Sequence, residues 1–128
     1  MVELTAGDVQ APARTQPRRG EVWVATFNPA RGRDTGKVRP ALVIQADSLG
    51  PETTPNVIVL PLSSLVDSPT RWQLILPARD RLLKPSRILV DQPRTLARAR
   101  LGEGPLTRLS EAELRHVDHA LKLLLGLW

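Results

Sequence analysis

The feature that most constrains this chain is a series of five short apolar segments between residues 20 and 90. Val, Ile and Leu dominate them, and Gly, Pro, Asn, Asp or Ser bounds each one, which is the pattern of short β-strands. No helical period interrupts the series, so we expect a mainly β domain, a small barrel or a strongly twisted sheet. Pro61 inside the third segment predicts an edge position or a bulge. The predicted strands are Glu21–Phe27, Val38–Gln45, Val57–Ser63, Trp72–Leu76 and Arg87–Val90.

A helix is predicted near the end of the chain, where the apolar period changes. Ser110 and Glu113 have the spacing of a capping box, and Leu109 and Leu114 have that of a hydrophobic staple. Gly126 is placed to end the helix. We expect the helix to lie across the open side of the sheet and to add oligomer contacts. Its predicted apolar face consists of Leu114, Val117, Leu121, Leu124 and Leu125.

The chain divides into a tail and one domain. Residues 1–19 are rich in Ala, Pro, Thr, Gln and Arg and show no periodicity, which predicts a flexible N-terminal tail. Residues 20–128 hold the predicted strands and helix and form the domain. The 41% of hydrophobic residues in the chain suffices for one modest core.

Composition narrows the class of partner. The 18 Lys and Arg residues outnumber the 13 Asp and Glu residues, and the net charge of +5 favours a polyanion, above all nucleic acid. The chain has no Cys, and its two His lie near the C-terminus, so neither a metal site nor a cofactor is expected. No apolar run approaches the roughly 18 residues that span a bilayer, so we expect no membrane association and a cytoplasmic location.

One cation is held at the mouth of a predicted strand. Pro40 fixes its own φ angle and biases Arg39 toward an extended conformation. We therefore expect the Arg39 guanidinium to point in a defined direction. A guanidinium held in a defined direction is well placed to bind a phosphate group. The alternative is a surface charge flanking an apolar strand, and it loses weight in a basic chain that offers few other reactive groups.

Five segments, in order, carry a resemblance to a known family. They are Gly20–Trp23, Asn28–Gly32, Val38–Gln45, Val57–Ser64 and Asp91–Thr95. Together they resemble the MazF/PemK (Kid) toxins of type II toxin–antitoxin systems. The resemblance implies a homodimer with an SH3-like barrel, or a strongly twisted antiparallel sheet, and a C-terminal helix. It also implies a sequence-selective, metal-independent endoribonuclease that cuts single-stranded mRNA, inhibits translation and is neutralised by a MazE-type antitoxin with an acidic flexible tail.

The resemblance transfers the family's catalytic residues one at a time. The catalytic Arg falls on Arg39 and the catalytic Thr on Ser63, which keeps the hydroxyl but lacks the methyl that restricts χ1. The acidic loop residue falls on Asp34, one methylene shorter than the usual Glu. The chemistry implied is attack of the RNA 2′-hydroxyl on the adjacent phosphorus, which leaves a cyclic phosphate and a 5′-hydroxyl. Because a guanidinium holds its proton far above neutral pH, Arg39 is assigned electrostatic stabilisation.

Eight further residues are predicted to bind RNA. The loop before Arg39 is expected to form a basic flap, and Trp72 is a candidate for stacking on a base. The structural alternatives are solvated charge for the loop cations, core packing for Trp72, and a turn network for the residues after Asp91. The alternative for Ser63 is a hydrogen bond to the local backbone. The predicted RNA-binding residues are Arg31, Arg33, Lys37, Ser64, Arg71, Trp72, Gln92 and Arg94.

Two other functions share this predicted architecture. A toxin resembling the gyrase poison CcdB binds a topoisomerase and cuts nothing, and the terminal Trp128 is a weak indication of that class. The other alternative is a non-catalytic RNA-binding barrel, which gains weight from the replacement of Thr by Ser63. His116 and His119 lie three residues apart on the predicted helix, away from Arg39, and are expected to be surface residues.

Overall fold

The computed structural model describes residues 16–27, 37–67 and 70–127, in which seven strands form one antiparallel sheet followed by a helix. The expected mainly β fold with a C-terminal helix is therefore confirmed. No helix within these ranges is long and apolar enough to cross a membrane. A short 3₁₀ helix covers Arg98–Arg100, and the helix α1 covers Glu111–Leu125. The strands are β1 (Glu21–Phe27), β2 (Lys37–Val43), β3 (Asn56–Ser63), β4 (Ile75–Leu76), β5 (Ser86–Ile88), β6 (Arg94–Ala97) and β7 (Thr107–Arg108).

The sheet curls into a half-barrel around its longest strand, β3. On one side β3 pairs with β2. On the other side its first half, from Asn56 to Val59, pairs with β6, and its last two residues, Leu62 and Ser63, pair with β5. The order of the sheet is β4-β5-β3-β2-β1-β7, with β6 beside β3. A strand that exchanges one neighbour for another partway along adds to the natural twist of the sheet.

Pro61 lies where β3 changes partners. The sequence predicted an edge position or a bulge there, but β3 has neighbours on both sides and Pro61 is buried opposite Ala41. The edge prediction is therefore wrong. Proline is tolerated because its missing N–H falls between the stretch paired with β6 and the stretch paired with β5. Its carbonyl still accepts a hydrogen bond from the Leu89 N–H at 2.9 Å.

Two apolar clusters lie on opposite faces of the sheet. Leu42 and Leu60 belong to one, together with Val117 of α1. Trp23 and Ala41 belong to the other. Since neighbouring residues of a strand point to opposite faces, consecutive apolar residues such as Ala41 and Leu42 fill both clusters. This explains why the central strands read as continuous apolar runs.

The N-terminus of α1 is fixed by the predicted capping box. The Glu113 N–H donates to Ser110 Oγ at 3.1 Å, and the Ser110 N–H donates to Glu113 Oε1 at 2.9 Å. Gly126 ends the helix with a φ of 71°, a conformation that glycine adopts without strain. Both helix limits therefore agree with the prediction.

The apolar face of α1 is shorter than predicted. Val117 and Ala120 are buried, whereas Leu124 is 38% and Leu125 is 60% exposed. Leu121 is partly buried against the core and is the last helical residue in that cluster. The prediction that Leu124 and Leu125 pack on the sheet is wrong because the helix runs past the edge of the core.

Several strands differ from their predicted limits. β2 ends at Val43, before Gln45, and β4 holds only the last two residues of the predicted segment Trp72–Leu76. A turn between Thr70 and Gln73 occupies the start of that segment. β5 likewise ends two residues before its predicted limit. The sequence does not predict β6 and β7, because both are short and each has a single buried residue.

The chain just before β1 is bound to the domain. The Arg19 N–H donates to Asp47 Oδ1 at 2.7 Å, and Arg19 Nε donates to the Ile44 carbonyl at 3.0 Å. Its guanidinium forms an ion pair with Asp118 of α1. Arg19 was assigned to the tail, but these contacts make it part of the fold. Residues 1–15 of the predicted tail lie outside the described residues.

Candidate functional site

An open cavity of about 680 Å³ lies where β2, the end of β3 and the segment before β5 meet. This volume is within the range of roughly 300–1,000 Å³ in which proteins bind small ligands. Four cationic side chains are among the described residues that line it, and no carboxylate is. The cations are Lys37, Arg39, Arg81 and Lys84. A wall of one charge sign favours an anionic ligand.

Arg39 reaches the cavity from the exposed half of β2. It is half-buried and lies opposite Ala25 of β1, while β2 is fully buried from Ala41 onward. Its position at the mouth of the buried strand agrees with the prediction. Within the described residues, the Arg39 guanidinium makes no hydrogen bond and no ion pair. No described residue therefore competes with a ligand for its donors.

Two hydroxyl groups lie at the end of β3, in the same cavity. Ser63 is half-buried and Ser64 is exposed. Ser63 Oγ accepts a hydrogen bond from the Leu65 N–H at 3.1 Å. This is the local backbone bond foreseen as the structural alternative. It also orients the hydroxyl, and because the oxygen acts as acceptor, its proton remains free to be donated to an anion.

The segment between β4 and β5 forms the third wall of the cavity, and side-chain bonds to α1 and β7 hold it in place. The Arg79 guanidinium forms two 2.8 Å bonds to the carboxylate of Glu113 in α1. The Arg79 guanidinium lowers the pKa of Glu113 from 4.5 to about 2, and the same pairing raises the pKa of Arg79. Thr107 of β7 donates to Asp80 Oδ2 at 2.6 Å. These bonds hold the segment against both the helix and the sheet.

Exposed aliphatic side chains form the rim of the cavity. Val38 is 66%, Leu65 71% and Leu83 84% exposed, the three highest values among large apolar residues in the described ranges. All three line the cavity. Apolar side chains gathered at the edge of a groove mark an interaction surface more often than scattered ones do.

The structure places Arg71 and Trp72 elsewhere. They line a separate cavity of about 450 Å³ against α1, together with His116 and His119. Trp72 is half-buried and packs against the core cluster under the helix. Core packing, the structural alternative for Trp72, therefore describes its surroundings, and neither residue lies beside Arg39.

The other predicted site residues fall into two groups. Gln92 and Arg94 do not line the Arg39 cavity, and the Arg94 guanidinium lies 5.1 Å from the centre of the Phe27 ring. Asp34 and the flap residues Arg31 and Arg33 lie outside the described residues, as does Trp128, on which the CcdB-like alternative rested. Of the predicted site, the structure therefore brings together Lys37, Arg39, Ser63 and Ser64.

Arg81, Leu83 and Lys84 line the cavity but are not predicted from the sequence. They lie in the connection between two predicted strands. The signal that would have found them is the stretch from Arg79 to Lys84, which holds three cations, two leucines and one Asp between Pro77 and Pro85. Such a short basic segment, stiffened by a proline, is unusual for a solvated loop.

A family comparison decides what kind of protein has this site. The model of the PemK-like, MazF-like toxins of type II toxin–antitoxin systems matches residues 18–125. The chain belongs to this toxin family. The resemblance found in the sequence is thereby confirmed.

Solved structures of MazF toxins share the fold. The chain matches the Mycobacterium tuberculosis toxin MazF-mt6 with a TM-score of 0.69 at 19% identity, covering 84% of this chain and 98% of that one. It matches a MazE-MazF structure from Deinococcus radiodurans with a TM-score of 0.70 at 26% identity, covering 88% and 98%. A mycobacterial endoribonuclease in complex with its cognate antitoxin gives 0.67 at 21%, covering 88% and 97%. The half-barrel with one helix is thus the MazF-type fold.

Proposed function

We propose that this toxin is a sequence-selective endoribonuclease that cleaves single-stranded mRNA in the cytoplasm and so inhibits translation. The observation that carries the proposal is the cavity itself. It combines the Arg39 guanidinium, which no described residue bonds, and the oriented hydroxyl of Ser63 with a lining whose described residues include no carboxylate. A phosphodiester needs both charge neutralisation and a hydrogen-bond donor, and it is repelled by carboxylates.

The proposed reaction divides the work between RNA and protein. The 2′-hydroxyl of the RNA attacks the adjacent phosphorus, the bond to the 5′-oxygen of the next nucleotide breaks, and a cyclic phosphate and a 5′-hydroxyl remain. Arg39 stabilises the charge that grows on the phosphorane oxygens, which is commonly the largest catalytic contribution. Ser63 donates a hydrogen bond to a phosphate oxygen. Asp34 is retained as the candidate for assisting proton transfer.

The proposed chemistry uses no metal ion. Cleavage of a long single-stranded transcript in excess chelator tests it directly. We expect undiminished cleavage, with products that carry a 2′,3′-cyclic phosphate and a 5′-hydroxyl. Loss of cleavage in chelator and its return with magnesium would contradict this chemistry, and binding of RNA without any cleavage would favour the non-catalytic barrel.

We further propose that an antitoxin of the MazE type, with an acidic flexible tail, covers this cavity. MazE-MazF and endoribonuclease–antitoxin complexes are among the similar structures. The cavity offers an acidic peptide the same free cations that it offers RNA, and its exposed rim of Val38, Leu65 and Leu83 suits apolar side chains. Inhibition by the antitoxin should therefore be competitive with RNA.

The proposed homodimer is supported by the uncovered end of α1. Leu123, Leu125 and Leu127 are 49%, 60% and 56% exposed, which leaves an apolar patch beyond the core. Light scattering coupled to size-exclusion chromatography should give twice the monomer mass. We expect Leu125→Glu to shift the protein toward the monomer, whereas a monomeric wild-type protein would contradict the proposal.

A further inference from the structure

The segment between β4 and β5 has a fixed backbone at the cavity wall. The Arg81 N–H donates to the Leu106 carbonyl at 2.9 Å, and Leu82 is buried in the core at 2% exposure. Beyond it, the buried Ser86 pairs with Leu76 of β4, and Ser86 Oγ donates to the Lys84 carbonyl at 2.9 Å. Lys84 is therefore anchored on both sides, and its backbone position relative to the cavity is set before any ligand binds.

Two cations of this segment line the cavity, but they differ in their partners. Arg81 is occupied, because its guanidinium bonds Glu103 Oε2 at 2.8 Å and the Pro105 carbonyl at 3.3 Å. The Lys84 ammonium is exposed and, within the described residues, makes no hydrogen bond or ion pair. Because no described residue pairs with this charge, the ammonium adds little to the folding of that part of the chain. A contact to an external anion requires a backbone that is held in place and an ammonium that no described residue pairs with, and Lys84 has both.

We propose that Lys84 is an RNA-binding residue that contacts a backbone phosphate next to the scissile one, from the wall that the segment between β4 and β5 forms. The inference rests on the proposed endoribonuclease function and extends it to a part of the cavity that the sequence did not indicate. Arg39 and Ser63 take the reacting phosphate from β2 and β3. Lys84 then holds the strand at a second phosphate and fixes its path through the cavity. Arg81 helps to hold this wall in place through its bonds to Glu103 and the Pro105 carbonyl.

The test compares Lys84→Met with the matched control Lys122→Met. Both changes remove one ammonium group and keep the length of the side chain, but Lys122 lies on α1, outside the cavity. The probe is a short single-stranded RNA of randomised sequence with methylated 2′-hydroxyls, which binds but cannot react. Its affinity is measured from about 0.05 to 0.2 M salt.

For Lys84→Met, we expect the slope of log affinity against log salt to become less steep by about 0.7, the contribution of one single-strand phosphate. That exponent corresponds to an affinity loss of about fivefold at 0.1 M salt. With cleavable RNA, KM should rise by a similar factor while kcat stays within about twofold, since the contact is equal in ground and transition states. Lys84→Arg should restore the wild-type slope.

Different failures have different meanings. An unchanged slope and affinity in Lys84→Met, while the wild-type protein binds and cleaves RNA, would overturn the role of Lys84 and leave the proposed function standing. An equal effect of Lys122→Met would reduce Lys84 to general surface charge. A wild-type protein that neither binds nor cleaves RNA would overturn the proposed function and this inference with it. Thermal unfolding of Lys84→Met should match the wild type, whereas Lys122→Met should lower the melting temperature slightly, because Lys122 lies in the last turn of α1 and complements the helix dipole.

Discussion

Replacing Glu113 by Gln tests how the cavity wall is held in place. The carboxylate accepts two bonds of 2.8 Å from Arg79, one on each oxygen, and Oε1 also accepts the Ser110 N–H at 2.9 Å. Glutamine keeps the shape and the cap acceptor but removes the charge. The change therefore removes the ion pair between α1 and the segment that carries Arg81 and Lys84, and it also replaces one of the two oxygens that accept from Arg79 by an NH₂ donor.

The expected loss of stability follows from the pKa of Glu113. A fall in this pKa from 4.5 to about 2 spans roughly 2.5 units, or about 3.4 kcal/mol at about 1.36 kcal/mol per unit. The Glu113 side chain is 22% exposed, so water screens part of this energy and a loss of about 2 kcal/mol at pH 7 is the better expectation. For a domain of this size, the melting temperature should fall by about 8 °C.

The pH dependence has a definite sign. Because the folded-state pKa of Glu113 lies below its ordinary value, the ion pair contributes fully above about pH 5, and the contribution is lost as the pH falls through 4.5 toward 2. Glutamine does not titrate. The stability difference between wild type and Glu113→Gln should therefore be constant at neutral pH and should shrink by about 60% at pH 3.

Urea unfolding followed by tryptophan fluorescence at pH 7, 5 and 3 measures these differences. The matched control is Glu111→Gln, in the same first turn of α1. Glu111 is 96% exposed and lies 3.9 Å from Arg115, so its removal should cost less than about 0.5 kcal/mol at any of these pH values. A loss in Glu113→Gln no greater than that of the control, or one that does not change with pH, would refute the assigned role of the pair.

Three other predictions concern the site directly. Arg39→Ala should lower kcat by about a hundredfold or more with the fold retained, as measured by single-turnover cleavage of RNA. Arg39→Lys should recover little of this activity, and a fully active Lys variant would show that Arg39 acts only as a general cation. Ser63→Thr should preserve or raise the cleavage rate, since Thr keeps the hydroxyl and restricts χ1, whereas Ser63→Ala should lose much of it. Equal rates in the wild type and both variants would direct attention to Ser64. Leu83→Ser should weaken inhibition by the antitoxin more than it weakens RNA binding, because the rim offers apolar contact. Equal weakening in titrations with antitoxin and with RNA would argue against an apolar contact at that position.

The parts of the fold that depend on local chemistry were predictable from the sequence. The capping box of Ser110 and Glu113 and the stop at Gly126 depend on residues within one or two helical turns, and the structure contains both. β3 was predicted almost to its limits because its apolar run is continuous. By contrast, β6 has only one buried residue, Leu96, and exists because the first half of β3 offers it a partner. A strand of that kind has no signal of its own.

The site divides in the same way. Arg39 and Ser63, which the structure places in one cavity, were predicted because Pro40 and the strand end mark them locally, together with the family resemblance. Arg71 and Trp72 have an equally plausible sequence pattern, but the turn after Thr70 directs the chain toward α1 rather than toward β2. The direction of a connection depends on what it packs against, and the core residues that decide it are far away in sequence.

Charge shows most clearly what a linear pattern omits. Arg79, Arg81 and Lys84 look alike in sequence, yet Arg79 is bonded to a carboxylate 34 residues away and Arg81 to one 22 residues away. Only the folded chain separates the two arginines that support the wall from Lys84, which has no carboxylate partner among the described residues. The charge available to a polyanion is therefore set by which cations lack a carboxylate partner, and not by the net charge of +5. Among the described cavity residues, that criterion selects Lys37, Arg39 and Lys84, the positions at which RNA and an acidic antitoxin would compete.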